Sequence, residues 1–267
     1  MTNDLLWLRT MSKQARLDVL RLAHAAGRKG AHISPSLSIV EIMTVLLADV
    51  MRPGQDLFVL SKGHGGLGYY AAMRQAGLIT EEQLNTFEID GGDFPGQPAR
   101  SANNHVIYSS GTLGLGLPYA AGRAWAARAA GEDRNLYVLL GDGELNEGCV
   151  WEAAMFARQQ RLDNLTAVVD WNGMQSDGFS KDIIEMDLEA VWKAFGWEVI
   201  CCPGHDVAAL REAFSRPPAE APIVVLAKTV KGKGVSFMEN DRAWHHNRLE
   251  DAQYKEAVAE VESGYEH

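Results

Sequence analysis

Apolar residues fall along this chain either in helical stripes or in short continuous runs, and the alternation between the two predicts the architecture. A stripe of Leu17, Leu20 and Ala23 marks a helix over Lys13 to Ala26, and a second helix runs from Ser38 to Asp49 after a polar turn. Short apolar runs bounded by turn residues predict strands at Asp56 to Leu60, from Tyr137 up to Gly141, at Leu165 to Asp170, at Trp197 to Cys201 and at Ile223 to Lys228. Helical segments fall between them: Tyr69 to Ala76, a start at Thr80, Gly111 to Ala130, the stretch after Gly143, Leu188 to Ala194 and Val207 to Phe214, with a closing helix from Arg248 to Glu262. The stretch from Gly91 to Asn104 is rich in Gly and Pro, and a loop of that length inside a compact domain is usually functional or disordered.

Strands alternating with helices mean an α/β fold, a doubly wound parallel sheet with helices on both faces. The expectation is one domain over residues 1–267 with a helical segment at 1–50. Ligands in such folds bind beyond the carboxyl ends of the strands. The polar segments Ser61 to His64, Gly141 to Gly143, Trp171 to Asn172 and Lys228 to Lys231 each follow a predicted strand, so one rim collects them.

Composition narrows the class. With 46% hydrophobic and 22% charged residues over 267 positions, the chain has the makeup of an ordinary globular protein. The stretch from Ile42 to Met51 is too short to span a bilayer and contains Asp49, and the first residues lack a basic leader and a cleavage pattern, so the expected location is the cytoplasm, with no membrane contact. A formal charge of −10 argues against a general nucleic-acid surface. Cys149, Cys201 and Cys202 have no paired spacing and read as small buried residues.

The segment from Tyr137 to Gly178 is the most informative. It predicts strand, Gly141-Asp142-Gly143, helix, strand and Trp171-Asn172-Gly173, which places a carboxylate and a carboxamide at the same end of two strands. Hard oxygen donors paired this way suit Mg2+ or Ca2+, and glycine lets backbone N–H groups approach a phosphate. Gly63 to Gly68 matches a dinucleotide fingerprint, but a helix start follows where that motif needs a second strand, so a nicotinamide site is rejected. Taken alone, His32 reads as a surface or capping residue, Ser109 to Pro118 as close helix packing, and Lys231 to His246 as a solvated charge run.

The GDGELNEG segment with its downstream Asn172, together with FVLSKGH, SSGTLGLGL and KGKG followed by a Trp-His pair, resembles the transketolase family. The resemblance runs from about Leu17 to Arg248 and corresponds to that family's first, diphosphate-binding domain. It implies thiamine diphosphate as cofactor, with Asp142, Asn172 and the carbonyl of Met174 as metal ligands. It further implies His64 and the Gly143 N–H on the diphosphate, Gly111 and Leu113 against the aminopyrimidine ring, and Glu147 in a carboxylate network facing a partner protomer. His32 and His245 are implied as proton carriers at substrate hydroxyls, His245 also lying near the diphosphate; the choice of His245 over His246 follows from its place after Trp244. Where the family has a donor-binding His, this chain has Gln97, which can hydrogen-bond but cannot carry a proton at neutral pH.

The carboxylate that activates the cofactor, the aromatic platform and the phosphate-binding Arg residues belong to the family's second domain, for which no counterpart follows Lys228. The implied assembly is a split transketolase: this chain forms the N-terminal half, a C-terminal transketolase subunit is its partner in an α2β2 heterotetramer, the substrates are sugar phosphates, and this chain alone has no activity. Two alternatives stand beside it: the α chain of a thiamine-diphosphate-dependent 2-oxo acid dehydrogenase or decarboxylase, and a non-catalytic scaffold.

Overall fold

The computed structural model describes residues 4–216 and 220–264, so both ends of the expected 1–267 domain and residues 217–219 lie outside it. Five strands, β1 (Leu57–Leu60), β2 (Leu136–Gly141), β3 (Leu165–Trp171), β4 (Glu198–Pro203) and β5 (Ile223–Lys228), form one sheet in the order β1-β2-β3-β5-β4. Every pairing is parallel, and the register sets Gly141 beside Asp170 and Trp171 beside Lys228. Parallel strands covered on both faces must be apolar on both, and all six residues of β2 are buried.

Alternate strand residues feed two separate cores. Leu60, Leu139, Val168 and Val225 pack under α1 (Leu5–Ala25), α2 (Ile33–Leu37), α3 (Val40–Val45), α4 (Gly66–Gln75) and α5 (Glu81–Leu84), with α10 (Val207–Phe214) and α11 (Asp251–Gly264) on the same side. Val59, Val138, Leu140, Val169 and Leu226 face the other way, against α6 (Gly116–Ala129), α7 (Gly148–Gln159) and α9 (Leu188–Ala194). A further short helix, α8 (Ser180–Ile183), follows β3. The expected α/β class and the helices on both faces are observed.

Several boundaries differ for local reasons. The first helix begins at Leu5, because Asp4 caps it by accepting from the Leu6 N–H at 3.2 Å. The expected Ser38 to Asp49 helix is observed as α3 with a wider turn at Leu46–Val50, and Ser38, between α2 and α3, turns its hydroxyl to Asp170 at 2.7 Å. The Gly111 to Ala130 helix starts only at Gly116; Gly111 (φ 151°) and Gly114 (φ 81°) hold conformations that a helix excludes.

The Gly91 to Asn104 loop is pinned, not loose. Asn104 is fully buried, donates to the carbonyls of Asp93 (2.8 Å) and Ala99 (3.0 Å) and accepts from the Ser101 and Val106 N–H groups, while Phe94 fills the core beneath it. Two other expectations are corrected. Only Cys202 is buried, Cys149 being half-buried and Cys201 exposed because it faces out from edge strand β4. Lys231 is not part of a solvated run but is 2% exposed.

Gly116 is where α6 meets β1. A Cβ there would lie 2.2 Å from Ser61 Oγ and 2.8 Å from Ser61 Cα, so the helix start can approach the strand tip only without a side chain. Gly116→Ala is expected to cost about 1–3 kcal/mol and to lower the thermal midpoint by roughly 3–10 °C, read by calorimetry. A midpoint unchanged within about 1 °C would mean that this contact does not fix α6.

Candidate active site

The tips of β1, β2, β3 and β5 surround a cavity of about 160 Å3. Its walls are Lys62 and His64 after β1, Gly141 to Glu144 at β2, Asn172, Met174, Gln175 and Ser176 after β3, Lys231 after β5, and Pro35, Leu113 and His245. A larger cleft of about 480 Å3 lies against Arg9, Glu41 and His205. Its central groups are already satisfied, since Glu41 pairs with Arg16 and with His205 Nδ1 at 2.8 Å, and His205 Nε2 accepts from the Val230 N–H at 2.9 Å. The smaller cavity is where the titratable groups converge without cancelling.

Asp142 and Asn172 stand at its floor. Asp142 accepts from the Gly143 N–H at 2.9 Å and from the Gly173 N–H at 2.7 Å. Burial, followed by the nearby charge of Asp170, pushes its carboxyl up to about 6. The Asn172 side chain donates through Nδ2 to Asp170 at 2.9 Å and accepts through Oδ1 from the Met174 N–H at 3.0 Å, so its carboxamide orientation is fixed by both neighbours. Among the described residues no group of three His, Cys, Asp or Glu is arranged to hold a metal. A carboxylate with an amide and a backbone oxygen is instead a set for a hard cation, and a buried carboxylate held up near 6 is one that a cation would stabilise.

The opposite wall favours an anion. The buried Lys231 ammonium makes one long hydrogen bond, to the Gln175 carbonyl at 3.4 Å, and burial together with the Lys62 ammonium brings it down to about 8. His64 is held well below its ordinary value by burial and then by Lys62. His245 drops to about 3 through burial and then Lys231, and its buried Nδ1 has no hydrogen-bond partner among the described residues. Oxygen donors on one side, an ammonium and neutral imidazoles on the other, fit a metal-bound diphosphate.

Behind this wall lies a buried ion pair. Lys62 (1% exposed) donates to Asp170 (fully buried), which also accepts from Ser38, Thr229 and Asn172. Burial alone would raise the Asp170 carboxyl, but the Lys62 charge and these donors outweigh it and hold the carboxyl below the ordinary range. Glu144, 2% exposed, makes a second clamp: it accepts from the Ser61 hydroxyl and from the N–H groups of Gly114 (2.7 Å) and Gly141 (3.1 Å). It thereby joins β1, β2 and the loop before α6.

The structure brings together most of the residues singled out from sequence. His64, Leu113, Asp142, Gly143, Asn172, Met174 and His245 line the cavity, and His32 stands beside it, its ring centroid 5.5 Å from His245 and 6.2 Å from His64. The remaining three are outside. Gly111 is exposed on the rim, and Gln97 is exposed next to it, with its Oε1 3.0 Å from where a Gly111 Cβ would lie. Glu147 is exposed at the N-cap of α7. The Gly143 N–H points at Asp142, not into the cavity.

Lys62, Asp170, Glu144 and Lys231 were not singled out from sequence. Each left one signal: a charged residue at the very end of an apolar strand, or just beyond it, where the chain has no reason to bury a charge unless another strand end supplies its partner.

Residues 18–266 match the family described as transketolase, thiamine diphosphate binding domain. The chain is 43% identical to one of the apulose-4-phosphate transketolase subunits of Actinobacillus succinogenes, across 81% of this chain and 82% of that one. It is 38% identical to the 6-deoxy-6-sulfo-D-fructose transketolase subunit SqwG of a Clostridium species, across 86% and 88%. Among solved structures, the transketolase of Leishmania mexicana superimposes with a TM-score of 0.87 at 26% identity, covering 97% of this chain but 41% of that enzyme. This chain belongs to the transketolase family and corresponds to its N-terminal, thiamine-diphosphate-binding portion.

Proposed function

We propose that this chain is the cofactor-binding subunit of a two-chain transketolase that moves a two-carbon ketol unit from a ketose or ketose phosphate donor to an aldose phosphate. The observation that carries the reading is the single cavity in which Asp142, Asn172, His64, Lys231 and His245 meet. Two relatives named as transketolase subunits support the two-chain part, because the match covers 82% and 88% of their lengths. The second chain would supply the rest of the site, most simply in an α2β2 assembly, in the cytoplasm.

In this reading Asp142, Asn172 Oδ1 and the Met174 carbonyl hold Mg2+ (or Ca2+), and His64 and Lys231 hold the diphosphate; the Gly143 N–H, already bonded to Asp142, does not take that part. Thiamine diphosphate, when bound, would supply a thiazolium carbon that is nucleophilic once its proton is removed, and an electron sink for a two-carbon fragment. Gly111 and Leu113 offer backbone groups to the aminopyrimidine. Glu147, exposed on α7, faces the partner. His32 and His245, both kept neutral by burial, take protons from substrate hydroxyls and return them. Gln97, on the rim beside Gly111, orients the donor through its carboxamide, which suits a donor other than the usual ketose phosphate.

Asp142→Asn is expected to weaken Mg2+-dependent thiamine diphosphate binding by about 100-fold or more, since one charged ligand is lost. For the unaltered chain the carboxyl pKa is raised to about 6, so protons compete with the metal below that value. Affinity should therefore be flat above about pH 7 and fall as pH drops through 6; calorimetry across pH 5 to 8 reads both effects.

His32→Ala in the assembled enzyme should lower kcat by about 10²–10⁴ with cofactor affinity little changed. Measured in a ketol-transfer assay, an unaltered kcat removes His32 from the proton path. Gln97→Ala should raise the donor KM by roughly tenfold, about one hydrogen bond to a neutral group, and leave cofactor affinity as it was. Pyruvate consumption without ketol transfer would replace the transketolase reading by a 2-oxo acid dehydrogenase or decarboxylase. Failure to bind the cofactor with Mg2+ and the partner present would leave a scaffold.

A further inference from the structure

Two imidazoles follow Trp244, and only His245 lines the cavity. His246 is exposed, yet its position is closely constrained. Ala31 and Asn247 form an isolated antiparallel bridge, with N–H to carbonyl distances of 3.0 and 3.1 Å in the two directions. That clip sets the next residue of one segment, His32, beside the preceding residue of the other, His246. Their ring centroids are 4.6 Å apart and the planes are nearly perpendicular, at 77°. Gly30 makes room for the arrangement: at φ 68° a Cβ would lie 3.0 Å from the Asn247 carbonyl oxygen and 3.1 Å from His246 Cε1.

Four imidazoles gather here. His64 and His245, 5.3 Å apart, line the cavity; His32, half-buried like them, lies against both and against His246, the one exposed ring of the four. The charged groups acting on His32 are His246, the Lys62 ammonium from the tip of β1 and the Lys231 ammonium after β5; each disfavours a proton on His32, and none of the three is a carboxylate that could hold one. A proton received at His32 therefore has no stable resting place inward, and its outward neighbour is His246.

We propose that His246 is a positioning residue of the histidine cluster: an exit relay that passes a proton from His32 to water and returns His32 to its neutral form between steps. His32 takes a proton on one ring nitrogen and gives one up to His246, which releases a proton to solvent from its other nitrogen, so neither ring keeps a net charge after the exchange. Burial, followed by His246, Lys62 and Lys231, brings His32 down to about 4, so a proton that it has taken is readily given up at neutral pH. The inference rests on the transketolase reading for the source of the proton, but the pairing of the two rings does not.

The test compares unaltered chain with His246→Asn, which keeps a polar side chain that cannot titrate, in the complex with the partner chain. The relay predicts a kcat lower by about three- to tenfold at pH 7.5, a donor KM within about twofold of the original, and recovery of the lost rate on adding free imidazole. The acidic limb of the kcat profile should move up by roughly half to one pH unit, because one positive neighbour of His32 is gone. Gly30→Ala, which leaves all four imidazoles present but pushes His246 away from His32, should reproduce the rate loss. Unchanged kcat and pH profile in His246→Asn would overturn the relay. Should the complex show no ketol transfer at all, the functional reading fails separately; NMR titration of the imidazoles in the full chain then decides, an identical His32 titration with and without His246 counting against the pairing and a raised one supporting it.

Discussion

The site depends on the ion pair between Lys62 and Asp170, buried where three strand tips meet. Lys62 leaves β1 and reaches across the tip of β2 to the end of β3, and Asp170 gathers Ser38, Thr229 and Asn172 around itself. Removing either member would strand a charge in the interior, at a cost of about 3–5 kcal/mol. The pair serves placement: it fixes the Asn172 carboxamide from behind and leaves the Asp142 carboxylate in front as the uncompensated one, raised toward 6 by burial and by Asp170. The carboxylate proposed as a cation ligand is thus maintained by a neighbouring group that has been fully satisfied.

The same division holds around the cavity. Glu144 is saturated by Ser61, Gly114 and Gly141, whereas buried Lys231 makes one long bond and the buried Nδ1 of half-buried His245 has no partner among the described residues. Saturated groups hold segments together, and unsatisfied ones line the space in which a ligand would complete them. Whether a buried charge is paired within the chain or left for a guest separates architecture from chemistry here more clearly than its distance from the cavity does.

Much of this was legible from residue order. Continuous apolar runs locate all five strands, and helical stripes place α9 at Leu188–Ala194 and α10 at Val207–Phe214, because in those elements local preference and tertiary packing agree. The rule that ligands lie beyond the ends of parallel strands brings His64, Asp142 and Asn172 to one cavity, and the resemblance adds His245. Sequence was a poor guide where distant partners decide. The glycines before Gly116 read as helix until Glu144 bonds the Gly114 N–H. Ser38 reads as a helix start until Asp170 claims its hydroxyl. Lys231 reads as solvated until the folded strand tips enclose it.

The Glu144 clamp has a consequence for how this site is inherited. All of its hydrogen-bonded partners, Ser61, Gly114 and Gly141, lie within a short internal span of one polypeptide. Gene fission or fusion outside that span severs none of these bonds. The turn that follows β2 and the loop that leads into α6 can therefore be transmitted as a unit, whether the remainder of an enzyme is translated on the same ribosome or on another.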